Sequence, residues 1–497
     1  MKHPCAPTHD PLAPRRRSYK SLALVLASCA VVLACASRPA RADSFDVRLS
    51  VVSVSPPRVR VEGTRGEATK VWTFRQTYAS LAGLAARLEN LSLTDASGAR
   101  VPARLLAPGE FAAERAAVGF AYEVKLEPPH LPSDAAHVSW LADGFGVLMP
   151  GDLLPLPATA ARLRFDLPAG WSLSSAESLT ADLSYVVTDA ESTVFVVGRN
   201  LRQRVARGSG ASQLSFVTTG EWAFEDAEAA EAAAKIFGQY ERLFGGTPRG
   251  RALFVLAPFP RPASAQNWSA ETRGRTVFLL SGRSPSKVAA LAQLSVPLTH
   301  EVMHLWVPNA LALDGEYDWF YEGFTLYQSA RLGVRLGHLT FQDYLNAVGR
   351  AFDSYKAARR GAELSLPEAS RQRWRGGASL VYSKGMLVAF LYDLTLRQRT
   401  SNKLSLEDVY RELFRRHSDE SARRDGNAPA GELLRATGRM NDFAARYVEQ
   451  AFVLDLASEV APFGLELETT GARTRLVVSR RLSRAQRDLL RKLGYNE

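Results

Sequence analysis

Two histidines four residues apart, His300 and His304, constrain this chain more than any other feature of its sequence. They enclose Glu301 in an HExxH pentapeptide that lies inside a helical pattern. At about 3.6 residues per turn, positions i and i+4 share one face of a helix, so both imidazoles can point at one metal ion. The carboxylate of Glu301 then lies where it can reach a water molecule on that metal. The alternative is a helix with two histidines and no metal.

A lone carboxylate follows in the aromatic and apolar stretch Trp319–Tyr327. Glu322 would be costly to bury there without a partner, and a metal ion supplies one. The alternative is a partly exposed glutamate at the start of a helix, where the helix dipole favours a negative charge. Catalytic zinc sites hold three protein ligands and one open position. We therefore predict one Zn²⁺ ion bound by His300, His304 and Glu322.

The first 42 residues have the organisation of an export signal. A basic segment ends at Lys20, an apolar run extends over Ser21–Ala36, and Ala40–Ala42 fits a small-x-small cleavage site. We expect a signal peptide over 1–42 and an exported protein that is periplasmic or secreted. A membrane anchor and a lipoprotein modified at Cys29 are the alternatives.

Cleavage after residue 42 would change both the cysteine content and the charge of the chain. All three cysteines lie in the leader, so the mature chain would have no disulfide, thiolate nucleophile or cysteine-based metal site. The leader also carries seven of the 62 Lys and Arg residues and one of the 51 Asp and Glu residues, so the net charge falls from +11 to +5. We therefore expect no nucleic-acid partner and, since no long apolar run follows the leader, no membrane span.

The remainder of the chain changes character twice. Residues 43–220 alternate with period two in runs such as Val47–Val51, which predicts an N-terminal β-sandwich-like domain. Residues 221–456 are dominated by helical patterns with a small sheet near their start, and 457–497 form a short strand-helix tail. The sequence thus predicts a multidomain α+β fold with a β domain before an α-rich one.

The helical patterns around the pentapeptide are interrupted by Pro297. Because proline suits the first turn of a helix, we predict two helices here, at about 286–295 and 297–306. Glu322 falls in a further helix predicted at about 318–333.

The residues around these ligands resemble a known family of metallopeptidases. Trp306 closely follows the pentapeptide, a W-x-x-E-G-F-T-x-Y segment begins at Trp319, and a Y-x-K-G segment begins at Tyr382. This combination is similar to the glycyl-aminopeptidase-type metallopeptidases and, more distantly, to aminopeptidase N, which are gluzincins. The resemblance covers about 220–460 and implies a thermolysin-like catalytic domain.

The resemblance implies a role for each matched residue. His300, His304 and Glu322 would bind zinc. Glu301 would be the general base that activates a water molecule, and Tyr382 would donate a hydrogen bond to the oxyanion. For Tyr382 the alternative is a tyrosine packed in the core.

The substrate end of the site depends on Glu271. These families carry a glutamate before the zinc helix that binds the amino group of the substrate, and Glu271 precedes the predicted strand at Thr276 by a suitable distance. The glycines expected ahead of it are absent, and the alternative is a solvated loop glutamate. Exopeptidase and endopeptidase activity both remain open.

These features favour a zinc-dependent metallopeptidase, with aminopeptidase activity as one form and a peptide or protein as its substrate. One alternative is a catalytically inactive envelope protein that binds peptides or partners on a gluzincin scaffold. The presence of Glu301 argues against it, because a binding module needs no general base. A zinc hydrolase that acts on a non-peptide substrate is the other alternative.

Overall fold

The computed structural model describes residues 44–79, 81–207, 213–358, 363–420, 422–470 and 473–496. The predicted leader and its cysteines lie outside these ranges, so the signal peptide and the export of the protein stay predictions. Within these ranges, no helix is both long and apolar enough to cross a membrane.

Two sheets face each other in the first part of the chain, which we call the β module (residues 44–200). Because side chains alternate along a strand, Val47, Leu49 and Val61 of the larger sheet share one face, where they pack with Phe195 and Val197 of the smaller sheet. The order across the larger sheet is Tyr185–Val187, Ala161–Asp166, Phe45–Val54, Pro57–Thr73, Glu110–Lys125, Leu88–Thr94 and Arg100–Val101, with Ala103–Ala107 also paired to Glu110–Lys125. The order across the smaller sheet is Ser172–Ser175, Phe195–Gly198, Phe145–Leu148 and Trp140–Ala142.

A central sheet lies between the β module and the helices. One face, with Val255 and Leu280, packs on the smaller sheet of the β module, and the other, with Phe254 and Leu279, packs on the helices. Because this sheet is buried on both faces at its centre, the inner strands Ala252–Pro258 and Thr276–Ser281 are almost entirely apolar, whereas the outer strands are polar. Its order is Arg202–Arg207, Gln213–Thr218, Ala252–Pro258, Thr276–Ser281 and Trp268–Arg273. Arg202–Arg207 and Gln213–Thr218 precede the expected domain boundary at 220 but belong to the central sheet. The division into domains itself stays a prediction.

The helical part completes a mixed α+β architecture, which confirms the predicted fold class at that level. Leu465, Leu476 and Leu490 of the predicted tail belong to the same core as the helices before it. The α-helices are Pro150–Leu153 in the β module and then Asp226–Phe244, Lys287–His304, Thr325–Arg335, Phe341–Ala358, Leu366–Arg371, Ala378–Arg399, Leu406–His417, Asn427–Ala436, Asn441–Ala444, Leu456–Val460 and Arg484–Lys492. The described residues also form two π-helical segments, Trp319–Phe324 and Ala445–Glu449. Short strand pairs join Thr77–Tyr78 with Leu81–Ala82, Leu313–Asp314 with Arg424–Asp425, and Leu465–Thr470 with Arg473–Val478.

A single helix, Lys287–His304, carries the HExxH pentapeptide, so the prediction of two helices around Pro297 is wrong. Pro297 lies in the helix interior, where it removes one backbone hydrogen bond. Leu294, Leu298 and Val302 are buried on both sides of the proline and hold the helix against the core. Tertiary packing therefore overrides the local signal of the proline.

Two glycines bring the segment that carries Glu322 into backbone contact with the helix that carries Tyr382. A Cβ atom added to Gly323 would lie 2.6 Å from the Cα atom of Gly385, and one added to Gly385 would lie 2.8 Å from the Cα atom of Gly323. No side chain fits between backbones this close. The contact therefore holds Glu322 and Tyr382 beside one cleft.

We expect Gly385→Ala to lower the free energy of unfolding by about 1–3 kcal/mol, because overpacking forces the backbones apart. Gly431→Ala is the matched control: it is also a helical glycine, but its added Cβ would meet no atom closer than 3.4 Å. That variant should be as stable as the wild type or more stable by up to about 1 kcal/mol. Urea denaturation measures both, and equal stabilities of the two variants would contradict the close contact.

Candidate metal centre

Three side-chain donors converge at the C-terminal end of the HExxH helix. The Nε2 atoms of His300 and His304 are 3.1 Å apart, and Oε2 of Glu322 lies 3.4 Å from the first and 3.5 Å from the second. Donors that bind one tetrahedral zinc at about 2.0–2.1 Å lie roughly 3.3 Å from each other. The three residues could therefore hold a metal ion, and the size of the triangle fits zinc.

The chain after the helix fixes the orientation of His304. Its Nδ1 lies 2.9 Å from the backbone oxygen of Val307, which can only accept, so the ring proton is on Nδ1 and the lone pair of Nε2 is available to a metal. Trp306 anchors this turn: its indole nitrogen donates to the oxygen of Gly246 at 2.9 Å, and its ring stacks on Phe244. The buried aromatic contact thus holds the second ligand in place.

A π-helical turn, Trp319–Phe324, presents Glu322 to the histidines. Trp319 fixes the start of this turn, because its backbone N–H donates to Oγ of Ser370 and its indole N–H donates to Oδ1 of Asn427, both at 2.9 Å. Trp319, Phe320 and Phe324 of this segment are buried in the core, while Tyr321 lines the cleft. Turns of this type occur frequently at functional sites because they alter the direction of a side chain.

The site has an electrostatic preference for a cation. Burial would raise the pKa of Glu322, but hydrogen bonds to His300 and His304 and the charge of Arg373 hold that pKa well below its usual range. Burial would lower the pKa of His304, but the Glu322 carboxylate raises it. The carboxylate therefore stays ionised and stabilises positive charge between the imidazoles, which a metal ion provides.

Arg373 links the metal ligands to Tyr382, and sequence analysis did not identify it. Its Nη2 lies 3.2 Å from Oε1 of Glu322 and donates to the Tyr382 hydroxyl at 2.7 Å, while Nη1 forms an ion pair with Asp318. Arg373 belongs to an arginine-rich turn that, in sequence, is indistinguishable from a solvated surface. Only the fold brings it to the site.

Tyr382 lines the cleft beside the donor triangle. Its oxygen accepts a hydrogen bond from Arg373, so its own proton is left for an acceptor such as the Glu322 carboxylate or a group bound in the cleft. Burial and the charge of Glu322 raise the pKa of this phenol, which therefore stays protonated at neutral pH. These properties suit a donor to an oxyanion, a role that stays a prediction.

Glu301 lies in the same cleft, where the edge strand of the central sheet orients its side chain. Oγ1 of Thr272 lies 2.8 Å from both the carboxylate Oε2 and the backbone oxygen of Glu301. Asn309, in the loop after the HExxH helix, donates from Nδ2 to the backbone oxygens of Thr272 and Gly274 at 3.3 and 3.0 Å. Thr272 and Asn309 carry no sequence signal, because their contacts join separate segments.

The cleft that contains these groups has a volume of about 880 Å³, and Glu271 lies on its wall. The solvated-loop alternative for Glu271 is wrong, because the residue belongs to the strand Trp268–Arg273 and its side chain is only 14% exposed. Its carboxylate is 2.7 Å from Nε of Arg273 and 2.5 Å from Nδ1 of His137. The structure thus gathers every predicted site residue at one cleft, but Glu271 is already paired.

Comparison with known proteins identifies the fold. No protein-family model and no curated protein sequence matches this chain. An aminopeptidase N family protein from Idiomarina loihiensis is similar with a TM-score of 0.71 and 17% identity, over 85% of this chain and 79% of that one. An M1 zinc metallopeptidase from Deinococcus radiodurans is similar with a TM-score of 0.53 and 15% identity, over 83% of this chain and 95% of that one. The predicted, more distant resemblance to aminopeptidase N is therefore confirmed in the fold, and the resemblance to the glycyl-aminopeptidase type stays a prediction.

We expect Arg373→Lys to weaken zinc binding by about 10–100-fold, the usual effect of losing a group that orients a metal ligand. A lysine amine cannot contact Glu322, Asp318 and Tyr382 together, as the planar guanidinium does. Competition with a chromogenic chelator measures the affinity. Arg375→Lys, at an exposed position two residues further on, is the matched control and should bind zinc like the wild type. Equal affinities of the two variants would contradict the positioning role of Arg373.

Proposed function

We propose that this protein is a zinc-dependent metallopeptidase that hydrolyses peptide bonds with a metal-activated water molecule. The observation that carries the proposal is that the triangle of His300, His304 and Glu322 borders a cleft that also contains Glu301 and Tyr382. A protein that only binds its partners would need neither a general base nor an oxyanion donor. A structure of a mutant of the Deinococcus radiodurans metallopeptidase holds a Tyr-Ser-Ala substrate, which supports a peptide as the substrate here.

Each cleft residue has a defined part in this reaction. His300, His304 and Glu322 would hold a zinc ion, which would supply a Lewis acid for the scissile carbonyl and a water molecule with a pKa lowered to about 7. Glu301, held by Thr272, accepts the proton of the attacking water and delivers it to the leaving nitrogen. Tyr382, held by Arg373, donates a hydrogen bond to the oxygen on which negative charge develops.

We expect Glu301→Gln to keep its zinc and to lose about 10²–10⁴-fold in kcat, because only the proton acceptor is removed. Metal content is measured by mass spectrometry of the purified chain, and cleavage is measured on a peptide library. The wild type should hold one zinc per chain and cleave peptides. Zinc binding without cleavage of any peptide would contradict the peptidase, and a lack of stoichiometric zinc would contradict the metal centre itself.

Tyr382→Phe should lower kcat by about 10²–10³-fold with little change in KM, because an oxyanion donor acts in the transition state. Tyr392→Phe is the matched control. Tyr392 lies in the same helix, but its hydroxyl donates to the backbone oxygen of Leu434 at 3.0 Å, inside the core. That variant should lose stability and keep its kcat. A wild-type kcat in Tyr382→Phe would contradict the oxyanion role and support the alternative of a tyrosine packed in the core.

A further inference from the structure

A buried cluster around Glu271 forms one wall of the metal cleft. Oε1 of Glu271 accepts hydrogen bonds from Nε of Arg273 at 2.7 Å and from the Tyr78 hydroxyl at 2.5 Å. Oε2 lies 2.5 Å from Nδ1 of His137. Both carboxylate oxygens are therefore occupied by donors of the protein.

Strand geometry separates this cluster from the HExxH helix. Successive side chains of a strand point to opposite faces of a sheet. Thr272 contacts Glu301 on one face. Glu271 and Arg273 lie on the other face, where they meet His137 of the β module. The carboxylate is thus directed toward its partners in the β module.

The charge of Glu271 is compensated inside the protein. The side chain of Arg273 is only 6% exposed, lies over the ring of Tyr78 and donates from Nη2 to the backbone oxygen of His137 at 2.6 Å. Burial would raise the pKa of Glu271, but Arg273 and His137 lower it to about 2. The carboxylate is therefore an anion in a neutral ion pair, which offers little net attraction to an ammonium group.

The other carboxylates on the cleft do not replace Glu271 as an anchor for an amine. Glu301 and Glu322 are committed to the base and the metal, and Asp318 pairs with Arg373. Glu316 lies on the cleft rim and is exposed, so water screens its charge.

We infer that this wall does not select a free α-amino group. The substrates are peptides that place a neutral amide group against the wall. An internal peptide bond and an acylated N-terminus both present such a neutral amide. The inference rests on the proposed peptidase function, and it makes His137 and Arg273 determinants of specificity.

Two peptides that differ only in Nα-acetylation test the inference. Their binding to Glu301→Gln is measured by calorimetry, and their cleavage by the wild type is followed by mass spectrometry. The acetylated peptide should bind at least as tightly as the free peptide and be cleaved at internal bonds. Binding of the free peptide that is tenfold tighter or more, or no binding of either peptide, would overturn the inference. Equal binding without cleavage would instead support the inference and contradict the peptidase.

A variant pair tests the part played by the cluster. His137→Ala removes the imidazole from Oε2 of Glu271 and should shift the preference toward the free-amine peptide by about fivefold or more. His130→Ala, an exposed histidine in the same segment that does not line the cleft, is the matched control and should show the wild-type preference. An unchanged preference in a folded, zinc-loaded His137→Ala protein would overturn the role of His137. If that variant does not fold, the comparison of the two peptides described above still tests whether the wall selects a free α-amino group.

Discussion

The approach of two imidazole nitrogens and one carboxylate oxygen to within 3.1–3.5 Å of each other is the arrangement on which the rest of the site depends. Donor atoms this close in a buried cleft favour a positive charge between them, which a bound metal ion would supply. Two segments maintain the arrangement. The turn at Val307 orients His304, and the π-helical turn presents Glu322 and, at Gly323, allows the close approach of the helix that carries Tyr382. The convergence of the three donors is therefore a property of the fold and not of the pentapeptide alone.

The central sheet connects this chemistry to the β module. Its edge strand, Trp268–Arg273, contacts the HExxH helix through Thr272 and the β module through Glu271. A single strand thus orients the expected base and also carries Glu271 and Arg273, whose ion pair belongs to the cleft wall. The β module in turn contributes Tyr78 and His137 to the cleft wall.

The sequence singled out the three donors that converge in the structure because each has a local signal. His300 and His304 follow helical spacing, and Glu322 is a lone charge among aromatic residues. Arg373 and His137 have no such signal, because their partners lie on distant segments that meet only in the folded chain. The local signal of Pro297 gave a wrong prediction, because core packing keeps one helix intact. The loop alternative for Glu271 was also wrong. Its strand is polar like a loop, but the charges are paired with each other and with the β module.

Anomalous diffraction at the zinc absorption edge, from crystals of the full chain grown with zinc, tests the central claim most directly. A zinc ion bound by the triangle would give one strong peak about 2.0–2.2 Å from Nε2 of His300, Nε2 of His304 and a carboxylate oxygen of Glu322. A crystal with no peak at this position, or with zinc bound only elsewhere, would contradict the metal centre and the hydrolytic chemistry that depends on it.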